Sequence, residues 1–411
     1  MSANDVFPYR ALSELADVAG GVTLGRSIPE GASVELPYLR VANVQDGYID
    51  TSDMKAVRVL KSEVNRFSLR RGDVLLTEGG DFDKLGRGAV WDGRLDPCLH
   101  QNHVFRVRCK PGLLLPEYLA IYFASHYGRC YFLSVAKQTT NLATISSSDL
   151  KAARIPAVSF AEQQHLARMV SALRNEERSI ESAIQKLRTV RSGVLGAMVP
   201  KVPSAVDLRN SLWRPVREVG DVRMGKQLSP SSREFGVQLP YLRVANVLNG
   251  WIDYSDVKKM GFSDVDRRAY QLQPGDILLN EGQSLELVGR SAIYRRPAGE
   301  FYFQNTLVRF RAGEGLLPEY AQAVFSNWLA TGVFVAIAKK TTSIAHLGGD
   351  RFASLPFPLI SLEEQQRVVS MLAAWDDRIA GEQAALDKLR SLKQGLTDDL
   401  LSGKVRVRDV A

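Results

Sequence analysis

The sequence predicts an α+β protein made twice over: two homologous globular domains alternating with two long helices that pack as an antiparallel coiled coil, in a pseudo-twofold internal repeat. Three observations predict it. First, Leu36-Pro-Tyr-Leu-Arg-Val-Ala-Asn-Val44 returns letter for letter as Leu239-Pro-Tyr-Leu-Arg-Val-Ala-Asn-Val247, nine identities 203 residues apart in a chain of 411. Second, shorter matches carry the repeat toward both ends. Gly47-Tyr48-Ile49-Asp50 answers Gly250-Trp251-Ile252-Asp253, Glu78-Gly79 answers Glu281-Gly282, and Gln101-Asn102 answers Gln304-Asn305. At an offset of 202, Leu115-Pro-Glu-Tyr118 recurs as Leu317-Pro-Glu-Tyr320 and Glu162-Gln-Gln164 as Glu364-Gln-Gln366. Third, each half ends in a proline-free stretch whose apolar residues recur every 3.5 positions. A repeat this long is no solenoid unit, so each copy buries its own core.

The first globular domain is assigned to residues 1–158. Short β-rich runs (Tyr38–Val41, Asp73–Leu76, His103–Val107) are punctuated by Gly-Asp and Asp-Gly turns, and an apolar helix-permitting stretch, 116–136, follows. The helix at 159–199 comes next, with a seam at Leu166, Val170, Leu173, Ile180, Ile184, Leu187 and Val194. Ser159 and Glu162 have the spacing of a capping box. Residues 200–212, with Pro200 and Pro203, form a linker to the second globular domain at 213–360. The second helix, 361–403, opens on Ser361 and Glu364 and carries its seam at Val368, Leu372, Trp375, Ile379, Leu386, Leu389 and Leu396. A helix of about 38 residues is roughly 57 Å long. Neither can bury its stripe alone, and packing homologous helices about a twofold makes them antiparallel. Glu177, Arg191, Glu382 and Lys393 interrupt the seams; they either pair across it to fix register or sit at its solvated edge.

Composition bounds the function classes. Net charge is +8, which suits a polyanionic partner. The three cysteines, Cys98, Cys109 and Cys130, all lie in the first copy without Cys-x-x-Cys spacing, which fits a reducing cytoplasm. No signal peptide or membrane span is evident.

Catalytic chemistry is nearly absent. Gly20-x4-Gly25-Arg26-Ser27 and Gly220-x4-Gly225-Lys226-Gln227 only resemble phosphate loops, the first lacking the Lys and the second the Ser/Thr, and neither follows a clear buried strand. Cys98, His100, His103 and Cys109 hint at zinc, but the second copy has Phe301, Phe303, Thr306 and Ala312 there. Asp53-x-Lys55 and Asp256-x-Lys258 hint at a nuclease, but Asp46 becomes Asn249. The chain reads as a protein that binds.

Two polar segments recur in both copies and are the places where a polyanionic partner such as nucleic acid would be met. One is Lys84 to Arg87, answered by Gln283, Ser284 and on to Arg290; the aligned Arg87 and Arg290 suit phosphate. The other is Lys137-Gln138-Thr139-Thr140-Asn141, answered by Lys339-Lys340-Thr341-Thr342-Ser343. Gln138 against Lys340 and Asn141 against Ser343 are differences able to specify bases; a polar turn ending the apolar stretch is the plainer alternative. Arg40, Asn43, Arg243 and Asn246 are identical between copies, which argues against reading bases: the asparagines suit bracing a turn, and the arginines either a buried pair or a phosphate.

The strings Tyr38-Leu-Arg-Val-Ala-Asn-Val44, Gly72-Asp-Val-Leu-Leu-Thr-Glu-Gly79, Gln101-Asn102, Gln138-Thr-Thr-Asn141 and Glu162-Gln-Gln164 fall in an order, repeated twice, that resembles the DNA-specificity subunit of type I restriction-modification systems over essentially the whole chain. The resemblance implies a non-catalytic subunit with two target-recognition domains. Each reads half of a bipartite, asymmetric site on double-stranded DNA. The helices set the spacer and dock two modification (methyltransferase) subunits. S-adenosylmethionine then belongs to the methyltransferase, which methylates adenine, and ATP and Mg to a restriction subunit where one joins. The alternatives are a specificity subunit of a type II-like or phage-defence complex without a translocase, a tandem nuclease and a coiled-coil scaffold.

Overall fold

The computed structural model describes residues 7–80, 85–138, 143–202, 212–229, 236–340 and 344–405. The chain forms two compact units, residues 1–181 with 384–411, and residues 182–383. Each takes in one globular portion and part of both long helices. Of the expected linker, residues 203–211 lie outside the described residues.

In the first unit a four-stranded antiparallel sheet runs in the order Ala16–Ala19, Val104–Cys109, Val74–Thr77, Gly88–Val90. Val74–Thr77 is buried along its length, because its two faces lie against different clusters. Val74 and Leu76 join Phe105, Tyr118 and Phe123, while Leu75 joins Leu39, Trp91 and Cys98. This is the two-residue alternation of a strand serving two cores. A second sheet orders Lys55–Leu60, Ser33–Leu39 and the parallel Leu99–His100. A third is small: Lys137–Gln138, Ala143–Thr144, Gly79–Gly80. Tyr9–Ala11 pairs with Arg154–Pro156 to close the domain.

The second unit repeats the plan. Its large sheet orders Gly220–Met224, Leu307–Ala312, Ile277–Asn280, Ser291–Ile293, and its small one Gly282–Gln283, Ala345–His346, Lys339–Lys340.

Two local expectations need correction. The strand expected over Tyr38–Val41 stops at Leu39, and Val41–Asn43 is a single 3-10 turn. Asn43 forces it: its Oδ1 accepts from Arg40 N at 2.9 Å, and its Nδ2 donates to the carbonyls of Asp50 and Asp53 at 2.9 and 3.1 Å. Asn246 makes the same three bonds at 3.0 Å each, so the repeated string is a turn brace. The apolar stretch 116–136 is two helices, Pro116–Ala124 and His126–Val135, because Ser125 ends the first and caps the second by accepting from Gly128 N.

The long helices run Phe160–Met198 and Leu362–Ser402. Both capping boxes form: Ser159 Oγ accepts from Glu162 N and Ser361 Oγ from Glu364 N, each at 3.3 Å. In the first unit Leu166 and Val170 share a cluster with Leu400 and Leu401; in the second, Leu195 and Val199 share one with Val368 and Leu372. Early residues of one helix thus meet late residues of the other, the antiparallel pairing. Leu173, Ile180, Leu187, Trp375 and Ile379 are half-buried and Leu386 is buried, so the whole seam faces inward. Among the interrupting charges, Lys393 bonds Glu177 at 2.7 Å and Arg191 bonds Asp376 at 2.5 Å. Glu382 is half-buried.

Each helix is also bolted to its globular portion. Gln163, 2% exposed, accepts from Leu115 N at 2.7 Å and donates to the carbonyls of Leu113 and Val158 at 3.1 Å. Gln365, fully buried, does the same with Leu317, Gly315 and Ile360 at 2.8, 3.0 and 2.9 Å. Tyr118 and Tyr320 donate to the carbonyls of Pro156 and Pro358. Both Leu-Pro-Glu-Tyr and Glu-Gln-Gln are therefore joints: the first starts a helix with proline in its first turn and the second pins that start. No helix among the described residues is long and apolar enough to cross a membrane.

Candidate nucleic-acid interface

Three strings far apart in sequence meet at one glutamate in each unit. Glu78 N donates to His103 O at 3.0 Å, beside Gln101-Asn102, and Glu78 O accepts from Ile145 N at 2.9 Å, just past the Lys137–Asn141 segment. Thr77 N donates to Arg87 O at 2.9 Å. In the second unit Glu281 N donates to Thr306 O at 2.9 Å, Glu281 O accepts from Leu347 N at 2.8 Å, and Asn280 N donates to Arg290 O at 2.9 Å. The small sheet then lays Gly79–Gly80 against Ala143–Thr144, and that strand against Lys137–Gln138. Gly79 permits the approach, since a Cβ there would stand 2.8 Å from Thr144 Cγ2. The two segments singled out from sequence thus spring from one three-stranded sheet in each unit.

Lys84, Thr139, Thr140, Asn141, Thr341, Thr342 and Ser343 lie outside the described residues. Gln138 ends its strand. Lys137, Lys339 and Lys340 are exposed on the outer strand of the small sheet. Gln283 and Ser284 are half-buried, and Gln283 Oε1 accepts from Ser284 N at 3.0 Å.

Arg87 and Arg290 are half-buried, not free at the surface. Arg87 Nη1 donates to Gln45 Oε1 at 3.2 Å, and both Nε atoms are sequestered without a partner among the described residues. Burial holds the Arg290 pKa below its ordinary value.

The other chemical hints resolve into structure. Arg40 bonds Asp53 at 2.8 Å and Arg243 bonds Asp256, so the repeated Asp-x-Lys aspartates anchor the turn. Asp46 pairs with Arg129 at 2.7 Å. His100 is fully buried, its Nδ1 2.8 Å from Val104 O, and desolvation pulls its pKa down to about 4. Cys98 sits in an apolar cluster, where burial pushes its thiol up to about 12. Among the described residues no group of three or more His, Cys, Asp or Glu gathers as a metal site.

In the sequence Glu78 and Glu281 showed only as a repeated pair and His103 only as a hint of zinc, while His346 carried no signal at all. The signal was the repeated Glu-Gly pair; its partners are invisible to an alignment of the copies because they occupy different positions.

The model of the family described as type I restriction modification DNA specificity domain matches residues 211–391. The chain is 23% identical over 424 residues to the putative type I restriction enzyme MjaX specificity subunit of Methanocaldococcus jannaschii, covering 96% of this chain and 93% of that one. It is 25% identical over 395 residues to the type I restriction enzyme EcoKI specificity subunit of Escherichia coli, covering 90% and 82%. Among solved structures, a chain from work on complex assembly and conformational transition of the type I R-M system superposes with a TM-score of 0.67 at 19% identity, over 97% of this chain and 98% of that one. The HsdS subunit from Thermoanaerobacter tengcongensis gives 0.50 at 18% identity, over 98% and 99%. At these identities the superpositions speak to the fold.

Proposed function

We infer how this chain, which belongs to the DNA-specificity family of type I restriction-modification systems, divides the work of recognition. It is a specificity subunit, a DNA-recognition protein with no catalysis of its own. Each unit reads one half of a bipartite site, through the segments that adjoin its small sheet. The observation that carries this is the pairing of a constant frame with variable loops. The same backbone bonds assemble both clusters, yet the sequences running on from them differ, Gly79-Gly80-Asp81-Phe82-Asp83-Lys84 against Gly282-Gln283-Ser284-Leu285-Glu286-Leu287. Equal frames with unequal loops predict unequal half-sites and a non-palindromic target. Tethering makes the second encounter intramolecular, and each correct base pair contributes about 1–3 kcal/mol.

The long helices set the unread spacer and dock two modification subunits. Val190 and Leu392 support this: they share one position of the repeat at the 202-residue offset, and both are left exposed, at 47% and 59%. Apolar side chains stranded at matching places on both helices suit a partner used twice. The chemistry then resides in the partners: S-adenosylmethionine in the methyltransferase, ATP and Mg in a restriction subunit where one joins, all acting on cytoplasmic DNA. The family matches favour this over a type II-like complex without a translocase.

The test is base-resolution adenine methylation across the host genome with and without the gene. Loss of one bipartite, asymmetric motif on deletion is expected. An unchanged methylome would overturn the reading.

A further inference from the structure

Glu78 and Glu281 occupy one position of the repeat, and each is bonded by a histidine ring. His103 Nδ1 lies 2.6 Å from Glu78 Oε2, and His346 Nδ1 lies 3.0 Å from Glu281 Oε2. The histidines are not equivalent. His103 stands just before strand Val104–Cys109, where the second copy has Thr306. His346 stands on strand Ala345–His346 of the small sheet, where the first copy has Thr144. A bond needed only to fold the repeat would come from one position in both copies, as the Asn43 and Asn246 braces do. Here the carboxylate is constant and the ring arrives from two different places, the turn before one strand and the body of another.

Exposure separates the members of each pair. The histidine side chains are 56% and 44% exposed, their glutamates 30% and 15%. The carboxylate forms the floor and the imidazole the surface. In the second unit the ring lies over Gly282, where a Cβ would stand 3.5 Å from its Cε1. With Nδ1 committed to the carboxylate, ring orientation is fixed. Among the described residues nothing bonds Nε2 of either ring, which leaves it to offer outward.

We propose that His103 and His346 are base-reading residues, one for each half-site, held in position by Glu78 and Glu281. The proposal rests on the assignment of these loop clusters to the DNA face. A neutral ring donating Nδ1–H to the glutamate presents Nε2 as an acceptor for the exocyclic amine of adenine or cytosine; a protonated ring presents a donor to guanine N7 or O6. The other copy has a threonine in each place, and Thr306 Oγ1 is taken up inside its own unit, accepting from Val244 N at 3.2 Å and donating to Gln304 Oε1 at 3.4 Å, so the pairs also distinguish the half-sites.

The experiment is the host adenine methylome with the full chain and its own modification subunits in place, comparing wild type with His103→Ala, His346→Ala, His103→Asn and Glu78→Gln. His103→Ala relaxes one base position of one half-site, raising methylation of near-cognate sites about tenfold or more. His346→Ala does so in the other half-site only, and Glu78→Gln moves the same position as His103→Ala, by less. A motif unchanged at every position, or a loss uniform across all sequences, overturns the proposal, the second because it marks a phosphate contact. If an alanine variant gives no methylation, His103→Asn and Glu78→Gln decide: a shift at one position sustains the proposal and an unaltered preference sinks it. If no motif depends on the wild-type gene, the functional reading itself fails and the proposal falls with it.

Discussion

Replacing Gln163 with leucine tests the joint between helix and recognition portion. Leucine is similar in volume though branched one carbon earlier, and the site is 2% exposed, so the change chiefly removes polarity. It deletes three bonds, at 2.7, 3.1 and 3.1 Å. A net contribution of about 1 kcal/mol for each, and about 1–3 kcal/mol for a donor left orphaned at Leu115 N, are partly offset where the freed carbonyls reach water. The loss works out at about 2–4 kcal/mol, set against a domain stability of roughly 5–15 kcal/mol. Gln365→Leu carries the same cost in the other unit. Urea unfolding followed by peptide-resolved hydrogen exchange reads the units separately, and each variant weakens protection mainly in its own. Gln163→Glu does not rescue, because a carboxylate keeps the Leu115 bond but confronts two carbonyls. A Gln163→Leu protein within about 0.5 kcal/mol of wild type would refute the reasoning, since that is the scatter of surface substitutions.

Other outcomes follow from the same structure. Lys393→Met strands Glu177, 8% exposed, and costs about 1–3 kcal/mol; Arg191→Ala removes a pair whose Asp376 side chain is 55% exposed and costs about 0.2–1 kcal/mol, an order that comparative thermal melts can reverse. His100, held down at about 4 from 6.5, binds a proton in the unfolded chain before the folded one, so its contribution is complete above pH 6.5 and is lost as pH falls toward 4. The fall is about 3 kcal/mol over that window, and His100→Phe, which copies Phe303, flattens it in a series of urea titrations. Arg87→Ala and Arg290→Ala in the assembled complex weaken cognate and non-cognate DNA alike and each reduce the salt slope by about one. A base-specific loss in a fluorescence-anisotropy titration would contradict the phosphate role.

The long-range plan was legible in the chain because duplication writes the same pattern twice. The seam from Leu166 to Leu386, the caps at Ser159 and Ser361 and the proline-first helices are periodic or positional signals that survive divergence. What escaped was set by single side chains acting at a distance. Asn43 bends a strand into a turn by reaching carbonyls at 50 and 53, and Ser125 splits an apolar run that hydropathy reads as continuous. The Glu-Gln-Gln string was visible as a repeat, but its task depends on Leu113 and Leu115, which fold back against it. The candidate interface was half legible. Its loops showed as matched polar segments, while His103 and His346 were hidden because the copies solve one contact from different positions.

The account stands or falls on whether each copy reads one half-site on its own. The direct measurement is the adenine methylome of a strain whose chain carries the first recognition portion in both places, substituted for 213–360 between unchanged helices. The account predicts a symmetric motif, an inverted repeat of one original half-site with the spacer kept. Survival of the original asymmetric motif, or a motif unrelated to either half, would contradict it.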